Sequence, residues 1–506
     1  MTQKSSEQSE KLAFFFIGFI LLLACFRMLG VLFTPLNLGP DEAQYWRWSK
    51  SFDWGYFSKP PMVAWVIGAM TNLFGDHEWA IRFASPIFHT GTAIALFMAG
   101  QRFWSTKVGI YAGLCFTLMT AIWLSSGIMS TDVPLLFFWS LGLFFFLSLR
   151  TNRSWVAAIG LGVALGLGFL SKYAMVYFLI GMALTALIDP VSRKALLSLK
   201  GLAALALFLA IFAPHLVWNA ENGFKTVGHT ADNANWGEEL LNPENGFKFF
   251  FDQFAVFGPL SFLLLLSFFG LSIFRRKAIT QWADRRIAVL ACFVIPPLLI
   301  ILVQAFISRA HANWAATAYP AACLILAIWA TSVGGWVRKI LIGGFALSMV
   351  VGVIFTTLVV LPVETQIQVM GGNATKRLRG WPETTQQVKA IATEYNASAV
   401  IVDEREIWHG LDYYGRDGEL AVPVRAWRRE DHPKSASEEV LISQADAENA
   451  LILSYREGDR ANLLADFAET EAIGELEIDL GGNRYRRFEV YIGRGFEPKP
   501  RPLPTT

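Results

Sequence analysis

Long apolar runs recur from the start of the chain to about residue 361. They fall at roughly 12–33, 80–100, 108–126, 133–149, 155–171, 173–188, 201–219, 253–273, 287–307, 314–332 and 339–361, each close to the ~20 residues that a helix needs to span a bilayer. The pattern predicts a multi-pass α-helical membrane protein with about eleven transmembrane helices. The apolar stretch at about 62–75 is shorter and predicts a re-entrant or interfacial helix. The first run follows a long N-terminus of mixed charge, and no small-residue cleavage site follows it. It is therefore expected to be a retained span and not a signal peptide.

Beyond about residue 361 the pattern changes to short elements. "GWPETTQQVKAIATEYNASAVIVDEREIWHGLDYYG" predicts a helix, the short strand "SAVIV" and another helix, while "ALILSYR" and "RYRRFEVYIG" predict strands. "GRDGE" and "GGN" supply turns. The expected organisation is a transmembrane domain over about 1–361, with a first outer loop at about 34–79, and a soluble α/β domain over about 362–506, long enough for a small core of its own.

Charge adds orientation. Only 17% of residues are charged and 54% are hydrophobic, against about 25% charged in soluble domains. The net charge of +2 provides no basic field for nucleic acid. Basic residues concentrate in alternate loops: Lys4 and Lys11, Arg102 and Lys107, Arg150 and Arg153, Arg193 to Lys200, Arg275 to Lys277 with Arg285 and Arg286, then Arg338 and Lys339. The intervening loops carry acids such as Asp41, Glu42, Asp76, Glu78, Asp132, Glu238 and Glu239. By the positive-inside rule the N-terminus is cytoplasmic. The first loop and the C-terminal domain then lie on the outer side of the membrane. The four cysteines, Cys25, Cys115, Cys292 and Cys323, all lie within apolar runs, without metal-ligand or redox spacing. No P-loop or GxGxxG is present.

The first outer loop carries the candidate chemistry. It opens with "GPDEAQYWRW", where Pro40 suits the first position of a new helix. On that helix Asp41, Tyr45 and Trp48 share a face, Gln44 lies close to it, and Glu42 and Trp46 point about a hundred degrees away. Lys59 follows in "SKPP", where two prolines fix an extended backbone. Arg82 stands near the start of the next span, Asp132 and Lys172 at outer helix ends, and Arg309, His311, Asn313 and Tyr319 at the outer end of a late span. Charges at such depths point to an internal polar cavity. A carboxylate there can take a proton from a hydroxyl, and lysine or arginine can hold a departing phosphate. Phosphate and hydroxyl meet at the membrane surface in lipid-linked sugars. Plainer roles stay open: Asp41 and Glu42 in a solvated loop, Asp132 as a helix cap, Lys59 and Lys172 snorkelling, His311 at the interface.

"PDEAQYWRWS", "YFSKPPM", "WAIRFASP" and "STDVPLLFFW", in this order on one side of the membrane, resemble the GT-C glycosyltransferases. More narrowly they are similar to the bacterial relatives of protein O-mannosyltransferases and to the aminoarabinose transferases of lipid A. The resemblance covers about residues 12–330 and implies inverting transfer from a polyprenyl phosphate-sugar donor. It implies Asp41 as the catalytic acid/base with Glu42 second in the pair, Lys59 and Arg82 at the donor phosphate, and Tyr45 and Asp132 as further site positions. Tyr319 and the "HANW" stretch, with Arg309 beside it, resemble the region that meets the lipid phosphate. Lys172, His311 and Asn313 complete the substrate-binding candidates. The aminoarabinose transferases carry an acid directly before the lysine. Here Ser58 stands in that place, which leaves a divalent metal unsupported and argues for a different sugar or acceptor. Lipid A or the lipopolysaccharide core is the first expected acceptor and a protein Ser or Thr the second. A flippase of lipid-linked sugars is the alternative of another class.

Overall fold

The computed structural model describes residues 3–232, 241–274 and 285–500. Glu238, Glu239 and the basic stretch 275–277, used above for orientation, lie outside the described residues. Among those described, seven helices are long and apolar enough to cross a membrane, and up to eight if a bent pair counts as one span. Every predicted apolar run is helical, but several helices are too short to meet that criterion, so the span count differs from eleven.

The two interrupted runs have visible physical causes. The run at 108–126 divides into the helices Thr106–Thr117 and Thr120–Ser125. At the break, Arg27 from the first span donates through Nη2 to the Thr117 carbonyl at 2.5 Å, and its guanidinium lies 4.4 Å from the Trp123 ring centroid. A buried cation thus satisfies a carbonyl left open at a helix end. The run at 253–273 bends by 115° between Pro243–Phe257 and Pro259–Ser272. Gly258 adopts φ +94°, a conformation that glycine tolerates, and Pro259 lacks the amide that would continue the ladder. The stretch at 62–75 is a 13-residue helix, Met62–Phe74.

The C-terminal region forms a five-stranded sheet. Its strands are β1 (Val400–Val402), β2 (Val424–Ala426), β3 (Ala450–Ser454), β4 (Phe467–Asp479) and β5 (Tyr485–Phe496), in the order β2-β1-β3-β5-β4. β1 lies parallel to β2 and β3, with Val400 opposite Val424 and Leu451, whereas β5 runs antiparallel to β3 and β4. "GGN" makes the β4–β5 hairpin, where Gly481, Gly482 and Asn483 all have positive φ. Sequence pattern missed the three-residue β2 and the long β4. β4 is an edge strand with Glu469, Glu471, Glu475 and Glu477 along it, so apolar alternation is weak where charge protects an edge.

This domain docks on the first loop. The helix Arg405–Tyr414 crosses the helix Pro40–Ser49, and Tyr413 is buried in one cluster with Trp46, Ile67 and Ile81. The Tyr413 hydroxyl and Arg416 Nη2 both donate to the Asp76 carbonyl, at 2.8 and 2.9 Å. The Leu38 amide donates to the Tyr414 hydroxyl at 2.8 Å, and the Asn37 amide to the Leu378 carbonyl at 2.9 Å. Shared apolar burial and satisfied backbone groups make the domain a fixed cover on the loop.

Candidate active site

The helix Pro40–Ser49 turns its two adjacent carboxylates in different directions. Asp41 lines a cavity of about 480 Å³ together with Tyr45, Lys59, Asp132, Lys172, His311 and Asn313. Seven of the residues singled out by sequence, drawn from four separate stretches, therefore meet in one space. Asp132 stands in the first turn of the helix Asp132–Asn152. Its Oδ1 accepts from Lys172 Nζ at 2.8 Å and its Oδ2 from Asn313 Nδ2 at 2.6 Å. The carboxylate thereby ties three chain segments together and holds the Lys172 ammonium toward the cavity. Lys59 has no ion-pair partner among the described residues, so its charge is available to a ligand. Asp41 Oδ1 accepts from Arg405 Nη2 at 3.0 Å.

Glu42, the second carboxylate of the adjacent pair, is placed elsewhere. It is 4% exposed and receives Arg82 through two contacts, Nε to Oε1 and Nη2 to Oε2, both 2.9 Å. The Gly39 amide donates to Oε2 at 2.9 Å and the Met129 amide to Oε1 at 3.1 Å. Arg82 is 2% exposed, and its Nη1 and Nη2 also donate to the Leu36 and Asn37 carbonyls, at 2.9 and 2.7 Å. The pair is an internal brace that sets the angle of the Asp41 helix. Neither residue lines this cavity, and four of the five Arg82 N–H donors are turned to internal acceptors. Tyr319 is also outside it: fully buried, stacked on Phe257 at 4.3 Å, with its hydroxyl donating to Gln253 Oε1 at 2.5 Å. Arg309 is exposed beside the cavity without lining it.

Electrostatics follow from the enclosure. Burial, and after it the neighbouring Lys172, lowers the Lys59 pKa, while Asp41 and Asp132 oppose the shift. Burial first, then Arg309 and Lys172, also lowers His311, which favours the neutral imidazole. The Tyr45 hydroxyl is raised well above its ordinary value by burial and by Asp41, so it remains a neutral donor. The donor set does not fit a divalent metal. Ser58 is not an acid, Asp41 and Asp132 already receive cationic donors, and no group of three His, Cys, Asp or Glu side chains converges among the described residues.

A second, mostly apolar groove of about 320 Å³ shares Ser58, Lys59, Lys172 and Trp314 with the cavity and continues along Val176, Ile300 and Ile301. The shared lysines stand where a polar chamber meets a slot suited to a hydrocarbon chain.

Residues 58–218 match the family of dolichyl-phosphate-mannose-protein mannosyltransferases. Over 416 residues, 81% of this chain and 84% of the relative, the sequence is 34% identical to lipid A galacturonosyltransferase RgtD of Rhizobium johnstonii. The chain belongs to the GT-C membrane glycosyltransferases. Within this family it is also 29% identical, over 34% of each chain, to undecaprenyl phosphate-alpha-4-amino-4-deoxy-L-arabinose arabinosyl transferase 1 of Pseudomonas fluorescens. The fold is that of ArnT from Cupriavidus metallidurans, with a TM-score of 0.61 over 94% of this chain and 97% of that one, at 15% identity. As a GT-C enzyme the chain is a glycosyltransferase, and the flippase alternative falls away.

Four cavity residues escaped the reading of the sequence. Arg405, Lys434 and Ser435 come from the C-terminal domain and His229 from the helix Lys225–Asp232. Nothing local marks them: Arg405 sits in a run of charge, "DEREIW", that reads equally as a solvated helix start.

Proposed function

We propose that this enzyme transfers a uronosyl group, galacturonic acid, from a polyprenyl phosphate to a hydroxyl of lipid A at the periplasmic face of the inner membrane. The observation that carries the reading is the meeting of a carboxylate, unpaired cationic charge and an apolar groove at Lys59. The polyprenyl chain occupies the groove, its phosphate meets Lys59 and Lys172, and the sugar enters the polar cavity. The acceptor oxygen attacks the anomeric carbon while Asp41 takes its proton. The bond from that carbon to the phosphate oxygen breaks, polyprenyl phosphate departs with the electron pair, and the anomeric centre inverts. An acidic sugar suits a cavity whose cations, Lys59, Lys172, Arg405 and Lys434, outnumber the acids Asp41 and Asp132. RgtD is by name a galacturonosyltransferase acting on lipid A, which supports both sugar and acceptor. The match of residues 58–218 to a protein mannosyltransferase family makes a Ser/Thr hydroxyl the second acceptor.

The test is purified enzyme in proteoliposomes with polyprenyl phosphate galacturonate, offered lipid A or a Ser/Thr peptide, with products read by mass spectrometry. A hexuronate added to lipid A supports the reading, addition to the peptide alone moves the acceptor, and neither product overturns it.

Lys59→Ala should raise the donor KM by about 10- to 100-fold, the effect of losing a charge-assisted hydrogen bond, with a smaller change in kcat. An unchanged donor KM removes Lys59 from the phosphate site. The alkaline limb tests the same residue. The ammonium that meets phosphate exists below the lowered Lys59 pKa and is lost as pH rises through it. Donor kcat/KM should therefore fall at a pH below that of an ordinary lysine, and Lys59→Arg should move the limb upward.

A further inference from the structure

We propose that Arg405, supplied by the C-terminal domain, is a latch on the catalytic base that the carboxylate of the transferred sugar releases. The inference rests on the uronosyl reading above and adds a specificity-determining residue to it. Arg405 Nη2 donates to Asp41 Oδ1 at 3.0 Å and Nη1 to Gln44 Oε1 at 3.3 Å. Oδ1, engaged in this way, is turned from an incoming hydroxyl and is freed to take its proton when the contact opens.

The contact is built to exchange. The Arg405 and Asp41 side chains are 42% and 61% exposed, facing the open cavity, whereas the Glu42–Arg82 pair one residue away is 5% and 2% exposed. A surface pair of this kind yields readily to a better-placed anion. Arg405 is also not needed to dock its domain. It opens the helix Arg405–Tyr414, whose far end is fixed by Tyr413, Tyr414 and the following Arg416 on the first loop. The guanidinium fork matches a carboxylate with two parallel hydrogen bonds, which a neutral hexose cannot offer. When the uronosyl carboxylate takes Arg405, the Asp41 oxygen is freed beside the anomeric carbon. No bond is made or broken in this exchange. The latch frees this oxygen when an acidic sugar is in place and holds it otherwise.

The test compares wild type, Arg405→Ala and Arg405→Lys with two donors that share one polyprenyl phosphate, one carrying galacturonate and one galactose. Transfer to lipid A is measured by mass spectrometry and binding of each donor by native mass spectrometry. Wild type should prefer the uronosyl donor in both readouts. In Arg405→Ala that preference should fall by about tenfold or more, the range for a charged hydrogen bond, and Arg405→Lys should recover part of it. Because binding is read separately, a variant without turnover still reports. An unchanged donor preference in Arg405→Ala, or a wild type that binds both donors equally, overturns the latch. Selective donor binding that depends on Arg405 without transfer to lipid A would instead sustain the latch and remove the proposed acceptor.

Discussion

Asp41→Asn should lower sugar transfer by about a thousandfold while leaving donor binding nearly intact, the range expected when a general base is lost. The substitution preserves shape and still offers Arg405 an amide oxygen, so the cavity should keep its form. What disappears is the ability to take a proton. Asp132 cannot replace it, because both of its oxygens are engaged by Lys172 and Asn313. Single-turnover transfer with pre-bound donor isolates the chemical step. A folded Asp41→Asn enzyme that keeps more than about a tenth of wild-type turnover would exclude the base role, since that is below the smallest usual effect of such a group.

The second large effect is on folding. Arg82→Met should destabilise the protein by about 3–5 kcal/mol, because it leaves the Glu42 carboxylate buried without its cation. Glu42→Leu should do comparable harm by stranding the Arg82 guanidinium. Replacing both residues together should be less damaging than the sum of the single changes, since the double variant buries no lone charge. Thermal unfolding in a fixed detergent, with the four-member cycle, provides the measurement. Additive losses would mean that the pair does not act as a unit. The expected effect on activity is indirect: without the brace, the Pro40–Ser49 helix is no longer held to Met129 and the Leu36–Asn37 backbone, and Asp41 loses its position.

These two residues, Asp41 and Glu42, also mark how far the sequence could be read. Helical spacing separated them by about a hundred degrees, and in the structure one enters the cavity and the other the protein interior. Spacing could not say which direction was the site. The resemblance to a family supplied Asp41 as the base, but its implied role for Arg82 at the phosphate is not reflected in the cavity lining, because Arg82 turns four of its five N–H donors to internal acceptors. Tyr319 is similar: an aromatic near an outer helix end reads as a ligand contact until its hydroxyl is seen to be buried against Gln253.

By itself the sequence determined the helical membrane architecture, the mixed α/β character of the C-terminal region and the placing of Asp41 and Lys59 on one outer loop. Those features are written in local composition and periodicity: a bilayer demands long apolar helices, a small domain alternates short elements, and prolines set the loop backbone. Only the tertiary structure decided which charges pair internally, that Asp132, Lys172 and Asn313 form one network, and that Arg405 reaches Asp41 across 364 positions of chain. Partner choice is a competition among all the charged groups that folding brings within a few ångströms, and separation along the chain carries no information about that distance.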